Sequence, residues 1–157
     1  YADYSAILGG ADNETGDSSA GETARASCIS GGYSNATSEN YASINGGVDN
    51  LASGLFSSVS GGVRNTASGE SSSISAGAEN NATALESSVS GGWGNTASGK
   101  SSAISAGAGN QATETNASVC GGHSNTAGGP NSTVSGGYNR SVSSNYNWRA
   151  GSLLESN

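Results

Sequence analysis

Apolar and polar residues recur along this chain at a spacing of fifteen. A Gly-Gly or Ala-Gly pair marks each repeat, and the intervals between pairs are 22, then seven of 15, then 14. The second residue of the pair forms a glycine column at Gly10, Gly32, Gly47, Gly62, Gly77, Gly92, Gly107, Gly122, Gly137 and Gly151. Three positions earlier lies an aliphatic column of β-branched residues: Ile7, Ile29, Ile44, Val59, Ile74, Val89, Ile104, Val119 and Val134. Internal repeats of fixed period indicate a solenoid.

One repeat, from Ser87 to Ser101, predicts the path of a coil. Val89 alternates with serines, which is the period-2 pattern of a short strand, and the following glycine pair permits a corner. Ala97 is the second inward residue, and Gly99 with Lys100 makes the opposite corner. We therefore predict an all-β parallel β-solenoid of about ten coils, each with two short strands, stacked at ~4.8 Å.

An asparagine column follows the glycine column at a distance of three residues. Its members are Asn13, Asn35, Asn50, Asn65, Asn80, Asn95, Asn110 and Asn125. Asparagine tolerates left-handed backbone at turns, and stacked side-chain amides hydrogen-bond to one another. We predict both properties for this column.

Composition alone would favour disorder. Leu, Ile, Val and Phe together make up 19 of 157 residues, and the net charge is −7. The periodicity outweighs this signal, because a solenoid coil needs only one or two inward side chains.

The organisation predicted is one solenoid domain over residues 1–157. Residues 1–25 form a first coil with an acidic loop insertion, and residues 26–144 hold the regular repeats. Residues 145–157 read as a C-terminal cap or docking segment, in which Trp148 falls in the aliphatic column and Leu153 and Leu154 favour docking.

Charge and hydropathy exclude two classes of partner. Acidic residues number 12 and basic residues 5, and the basic ones are scattered, so no positive stripe favours nucleic acid. No apolar run reaches the ~20 residues that span a bilayer, so we expect no membrane insertion. High Ser, Thr, Asn and Gly content favours an extracellular or cell-surface location.

The two cysteines, Cys28 and Cys120, lie six coils apart, roughly 29 Å by strand spacing. A disulfide needs Cα atoms within ~7 Å, so the two cannot pair within one chain. They are either free substitutes for serine or intermolecular disulfides in an oxidising compartment.

Other candidate sites are surface features. Aromatic residues that could contact a partner are Tyr33, Trp93 and Tyr138 at corners and Trp148 in the C-terminal segment. Sequons for N-glycosylation occur at Asn13, Asn35, Asn81, Asn116, Asn131 and Asn139. His123 is the only histidine, and the serines have no base partner, so we expect no enzyme, no cofactor and no metal site.

The run NTASGxxSSVSGG, seen in part over 65–76 and again at Asn95, Ala97, Gly99 and Ser102, resembles the head repeat of trimeric autotransporter adhesins. The resemblance covers residues 26–144. It implies a left-handed parallel β-roll, three of which pack as a trimer, and attachment to host matrix or other surfaces.

The resulting hypothesis is a structural or adhesive protein that self-associates into a fibre or a trimeric surface spike. Glycans or extracellular matrix are the further partners expected. The alternatives are a carbohydrate-binding solenoid that uses the corner aromatics and an ice-binding solenoid that uses its hydroxyl rows.

Overall fold

The computed structural model describes residues 4–16 and 25–150. Over these residues the chain is a parallel β-solenoid, in which each coil contributes one short strand to each of two sheets. The described residues contain no helix. The predicted fold class is confirmed. The predicted acidic insertion lies mostly at 17–24, which falls outside the described residues, as do Leu153 and Leu154.

The strands are two residues long and pair in parallel with the coils before and after. The first sheet has ten strands: β1 (Ala6–Ile7), β3 (Cys28–Ile29), β5 (Ser43–Ile44), β7 (Ser58–Val59), β9 (Ser73–Ile74), β11 (Ser88–Val89), β13 (Ala103–Ile104), β15 (Ser118–Val119), β17 (Thr133–Val134) and β19 (Trp148–Arg149). The second sheet has nine: β2 (Glu14–Thr15), β4 (Ala36–Thr37), β6 (Leu51–Ala52), β8 (Thr66–Ala67), β10 (Asn81–Ala82), β12 (Thr96–Ala97), β14 (Gln111–Ala112), β16 (Thr126–Ala127) and β18 (Ser141–Val142).

The corner after each glycine pair forms a third ladder that the sequence analysis did not predict. One residue per coil makes a parallel bridge to the same position in the next coil, as Val63 does to Val48 and Ala78. Each coil is therefore joined to its neighbours on three sides rather than two.

The register at the C-terminal end corrects one prediction. Thr133 pairs with Trp148 and Val134 with Arg149, so Arg149 continues the aliphatic column and Trp148 faces outward. The prediction was wrong because it counted back from Gly151, whereas the ladder continues fifteen residues on from Val134. The Trp148 indole donates to the Ser135 hydroxyl at 2.7 Å, and the Arg149 guanidinium donates to the Ser141 carbonyl at 3.0 Å.

Four columns of buried side chains, each with one residue per coil, run through the described part of the solenoid. The aliphatic column is buried from Ile29 to Val134. Opposite it lies an alanine column: Ala52, Ala67, Ala82, Ala97, Ala112 and Ala127. A serine column precedes the strands of the first sheet, at Ser27, Ala42, Ser57, Ser72, Ser87, Ser102, Ala117 and Ser132. The asparagine column is buried from Asn35 to Asn125.

The buried asparagines are the polar links between coils. The Asn80 side chain donates to the carbonyl oxygens of Ala76, in its own coil, at 3.2 Å and of Gly92, in the next coil, at 3.0 Å. Its oxygen accepts from the backbone N–H of Asn95 at 3.0 Å. The predicted hydrogen bonding along the asparagine column is confirmed.

The prediction that these asparagines adopt left-handed backbone is wrong. The left-handed residue is the one before each asparagine, as Arg64 (φ 53°) is before Asn65. Because the amide must reach carbonyl groups of two coils, the asparagine points inward and its predecessor makes the turn.

Replacement of Asn80 by aspartate should destabilise the protein by several kcal/mol. A carboxylate cannot donate to the two carbonyls, and burial of an unpaired charge is costly. The control is Asn81→Asp, which changes the neighbouring half-buried side chain on the outer face and should cost less than ~0.5 kcal/mol. Urea denaturation measures both, and equal midpoints would contradict the structural role of the column.

The two positions of each glycine pair differ in whether they have room for a side chain. Gly62 has φ +97°, and an added Cβ would overlap the carbonyl oxygen of Gly77 in the next coil. At Gly61 an added Cβ would meet nothing within 4 Å, which explains why Ala76 and Ala106 occupy that position in other coils.

Gly62→Ala should therefore destabilise the solenoid by at least ~2 kcal/mol, through backbone strain and the clash with Gly77. Gly61→Ala should leave stability unchanged or slightly raised, since alanine restricts the unfolded chain. Thermal and urea unfolding of the two variants measures the difference in their stability. A Gly62→Ala protein as stable as Gly61→Ala would show that the coil spacing is not set by this contact.

Candidate interaction surface

The residues of the third ladder form one continuous edge of the solenoid, here called the bridge ridge. Its side chains point outward on nine successive coils. The bridge ridge consists of Ala11, Tyr33, Val48, Val63, Ala78, Trp93, Ala108, His123 and Tyr138. No serine, threonine or charged residue occurs in it, although serine dominates the chain. The exposed fractions are 51% for Tyr33, 56% for Trp93 and 70% for Tyr138.

Local backbone geometry places these side chains outside. Each ridge residue lies between two left-handed residues, such as Gly62 (φ +97°) and Arg64 (φ 53°) around Val63. The Val63 N–H donates to the Gly77 carbonyl at 3.0 Å, and the Val48 carbonyl accepts from the Arg64 N–H at 2.9 Å. Hydrogen bonds to both neighbouring coils hold the ridge backbone, and the glycine column beside it carries no side chains. The ridge backbone is therefore rigid and holds a mostly apolar row of side chains on the outside.

A flank column of polar residues and two glycines follows the ridge by one position. It consists of Asp12, Ser34, Asp49, Arg64, Glu79, Gly94, Gly109, Ser124 and Asn139. All of its charged members lie between Asp12 and Glu79. Arg64 and Glu79 form an ion pair at 2.8 Å with half-exposed side chains, which contributes ~0–1 kcal/mol. One half of the edge is thus charged and the other uncharged.

The structure brings together three of the four predicted contact aromatics. Tyr33, Trp93 and Tyr138 all lie on the bridge ridge, and His123 stacks on Tyr138 with ring centroids 5.3 Å apart. Trp148 lies on the outer face of the first sheet instead. The sequence analysis missed Val48 and Val63, which reading this single position across all coils would have found.

The opposite corner carries a smaller apolar cluster. Tyr41 and Phe56 stack at 4.9 Å and are 53% and 52% exposed. The same position in the next coils holds Ser71, Glu86 and Ser101, so the cluster does not continue along the solenoid.

Both cysteines are free and lie on the outer side of the first sheet. Cys28 is half-buried in β3, and Cys120 is exposed directly after β15. This confirms that the two do not pair within the chain. Intermolecular pairing stays a prediction.

The sequon asparagines differ in accessibility. Asn35 belongs to the buried asparagine column, and its side-chain nitrogen donates to the Gly31 and Gly47 carbonyls, which leaves no room for a glycan in the folded chain. Asn13 begins the same column, and its nitrogen donates to Gly9 and Gly32. Asn81 is half-buried. The remaining three occupy left-handed corner positions that reach solvent: Asn116, Asn131 and Asn139.

Over 4–16 and 25–150, no three His, Cys, Asp or Glu residues cluster in a way that could hold a metal ion. The same part of the chain has no helix of the length and hydropathy needed to cross a bilayer.

Neither a protein-family model nor a curated protein sequence matches this chain.

On the ridge, Tyr33 lies beside two carboxylates that change its ionisation. Its hydrogen bond with Asp12 raises the pKa of the phenol above 10.0, and the negative charges of Asp12 and Asp49 act in the same direction. Because the folded-state pKa is raised, this interaction is present below pH ~10 and is lost as the pH rises through the folded value.

Asp12→Asn should lower the pKa of Tyr33, because it removes the largest cause of the shift and one negative charge. Asp49→Asn should lower it less, since Asp49 acts through charge alone and is the smallest cause. Phenolate absorbance, taken as the difference between each protein and its Tyr33→Phe variant, measures this. A Tyr33 pKa unchanged in Asp12→Asn would contradict the assigned contact.

Proposed function

We propose that this chain is a non-enzymatic structural and adhesive module of an extracellular or cell-surface protein, and that it self-associates along the bridge ridge. The observation that supports this most is the continuity of the ridge: an outward position on nine successive coils that holds an aliphatic or aromatic residue in eight and His123 in the ninth, half-buried at Ala78 and Ala108 and exposed elsewhere. Contiguous exposed apolar surface marks interaction sites in soluble proteins. Exposed tyrosine and tryptophan are enriched at protein interfaces.

The thin interior supports the same proposal. Each regular coil buries one aliphatic side chain and one residue of the alanine column, so apolar burial within one chain is small. Side-by-side packing of solenoids would bury the ridge as well. Because hydrogen bonds to neighbouring coils already hold the ridge backbone in place, little conformational entropy is lost when the ridge docks.

Two assemblies fit this proposal. The resemblance to adhesin head repeats favours a trimeric spike, with glycans or extracellular matrix as external partners. Cys28 and Cys120, free on one outer face, favour a fibre joined by intermolecular disulfides if the compartment is oxidising.

Ice binding is the second candidate, supported by the outer face of the first sheet. Ser58, Ser73 and Ser88 stand in parallel register on consecutive strands and give a regular row of hydroxyls. Thermal hysteresis in solution would support this reading, and its absence would remove it. Carbohydrate binding has less support, because Tyr33, Trp93 and Tyr138 are separated by four and three coils, ~19 and ~14 Å.

Trp93→Ala should weaken self-association about tenfold or more, because a buried interface tryptophan typically contributes over ~1.4 kcal/mol. Phe56→Ala is the matched control: it removes a similarly exposed aromatic (52% against 56%) from the opposite corner. Alanine occurs naturally in both positions, at Ala108 and Ala26. Sedimentation equilibrium under reducing conditions measures both.

The proposal predicts that Phe56→Ala associates like the parent chain. A parent chain that sediments as a monomer at every concentration would overturn the proposal. Equal weakening by the two substitutions would remove the assignment to the bridge ridge.

A further inference from the structure

The order of large and small residues along the bridge ridge specifies how two copies fit. We propose that two chains pair along this ridge in antiparallel orientation, with a two-fold axis between the coils of Ala78 and Trp93. This inference rests on the proposed self-association and names its partner as a second copy of the chain. Of the two proposed assemblies it fits the disulfide-joined fibre, built from such dimers, and not the trimeric spike. Two-fold dimers are the commonest symmetric oligomers, and their interfaces use the same patch on both copies.

The antiparallel register sets large ridge residues against small ones. Trp93 of one copy faces Ala78 of the other, and Ala108 faces Val63. His123 then faces Val48, and the aromatic rings of Tyr138 and Tyr33 meet at the ends. In a parallel pair in the same register, Trp93 of one copy would face Trp93 of the other, and Ala78 and Ala108 would each face the same alanine. The two tryptophans would clash, and the facing alanines beside them would leave gaps. Interfaces pack as closely as protein interiors, so the antiparallel register is favoured.

The flank column fits the same register independently. Glu79 and Arg64, which form the ion pair, face Gly94 and Gly109 of the other copy. Those two positions carry no side chain and so leave room for the ion pair. Within residues 4–16 and 25–150, Gly94 and Gly109 are the two glycines of the flank column.

The distribution of charge along the flank column also favours antiparallel pairing. The charged flank residues all lie in the half from Asp12 to Glu79, and the half from Gly94 to Asn139 is uncharged. Antiparallel pairing lays each charged half on an uncharged one and places Asp49 opposite Ser124. Parallel pairing would bring Asp12 and Asp49 of both copies to the same end of the interface, and like charges at an interface are unfavourable.

The size of the contact sets the expected strength. Eight coils overlap, so the contact is ~34 Å long at the strand spacing. A strip one ridge wide buries less than the ~800 Å² per partner typical of stable complexes. We therefore expect a reversible dimer with a Kd on the order of micromolar.

Cross-linking of single-cysteine variants tests the orientation. The background is Cys28→Ser with Cys120→Ser, since serine occupies the same strand positions at Ser43 and Ser135. Val63→Cys and Ala108→Cys are made separately in it. The reagent is a thiol cross-linker with a reach shorter than two coils, ~10 Å.

The antiparallel pair predicts that an equimolar mixture of the two variants cross-links into heterodimers. Each variant alone should give little product, because its thiols then lie three coils apart along the axis, ~14 Å. Cross-linking of each variant with itself and none between them would establish a parallel pair and overturn the inference. Self-association in sedimentation without either product would also overturn it, while the proposed function stands. A background protein that is monomeric at all concentrations would overturn both.

Discussion

A buried asparagine amide in each coil makes hydrogen bonds to its own coil and to the next, and the rest of the solenoid depends on this link. The amide of Asn95 donates to the Gly91 and Gly107 carbonyls at 3.0 and 2.9 Å, and its oxygen accepts from the Asn110 N–H at 3.0 Å. The Gly107 carbonyl also accepts from the Trp93 N–H at 2.9 Å in the third ladder, whereas the Asn110 N–H has the Asn95 amide as its partner. Without the amide the Asn110 N–H would be buried and unpaired, at ~1–3 kcal/mol, and the Gly91 carbonyl would lose this hydrogen bond.

This link explains how a chain with few aliphatic residues forms an ordered fold. Backbone hydrogen bonds along three ladders and the asparagine column join successive coils, and the aliphatic and alanine columns fill the narrow space between the sheets. The glycine column is required by the same arrangement. The Asn65 side-chain nitrogen and the Gly77 carbonyl occupy the volume that a Cβ on Gly62 would need. The corner then exposes one residue per coil, and that residue forms the bridge ridge.

Much of this fold could be predicted from the sequence, because fifteen-residue spacing aligns equivalent residues of each coil. The aliphatic and asparagine columns and the parallel stacking of two strands per coil follow from that spacing. The third ladder could not be predicted, since its residues vary between alanine and tryptophan and are defined by backbone pairing. The left-handed residue before each asparagine was missed for a similar reason: Asp49, Arg64 and Glu79 share a conformation but no chemistry. Trp148 was misplaced because the final glycine pair departs from the strand register.

The candidate interaction surface was predicted only in part. Tyr33, Trp93 and Tyr138 were identified as exposed aromatics, but their membership of one continuous, mostly apolar edge depends on the smaller residues between them. Ala78 and Ala108 carry no signal of binding by themselves. In the proposed antiparallel pair they lie opposite the larger residues Trp93 and Val63 of the second copy.

Hydrogen exchange of asparagine side-chain amides, followed by NMR, tests the central claim most directly. The account predicts that the amide hydrogens of Asn80 and Asn95 exchange orders of magnitude more slowly than those of the exposed Asn139, because they open only with the coil. Exchange of Asn80 and Asn95 at the rate of Asn139 would show that the asparagine column does not hold the coils together.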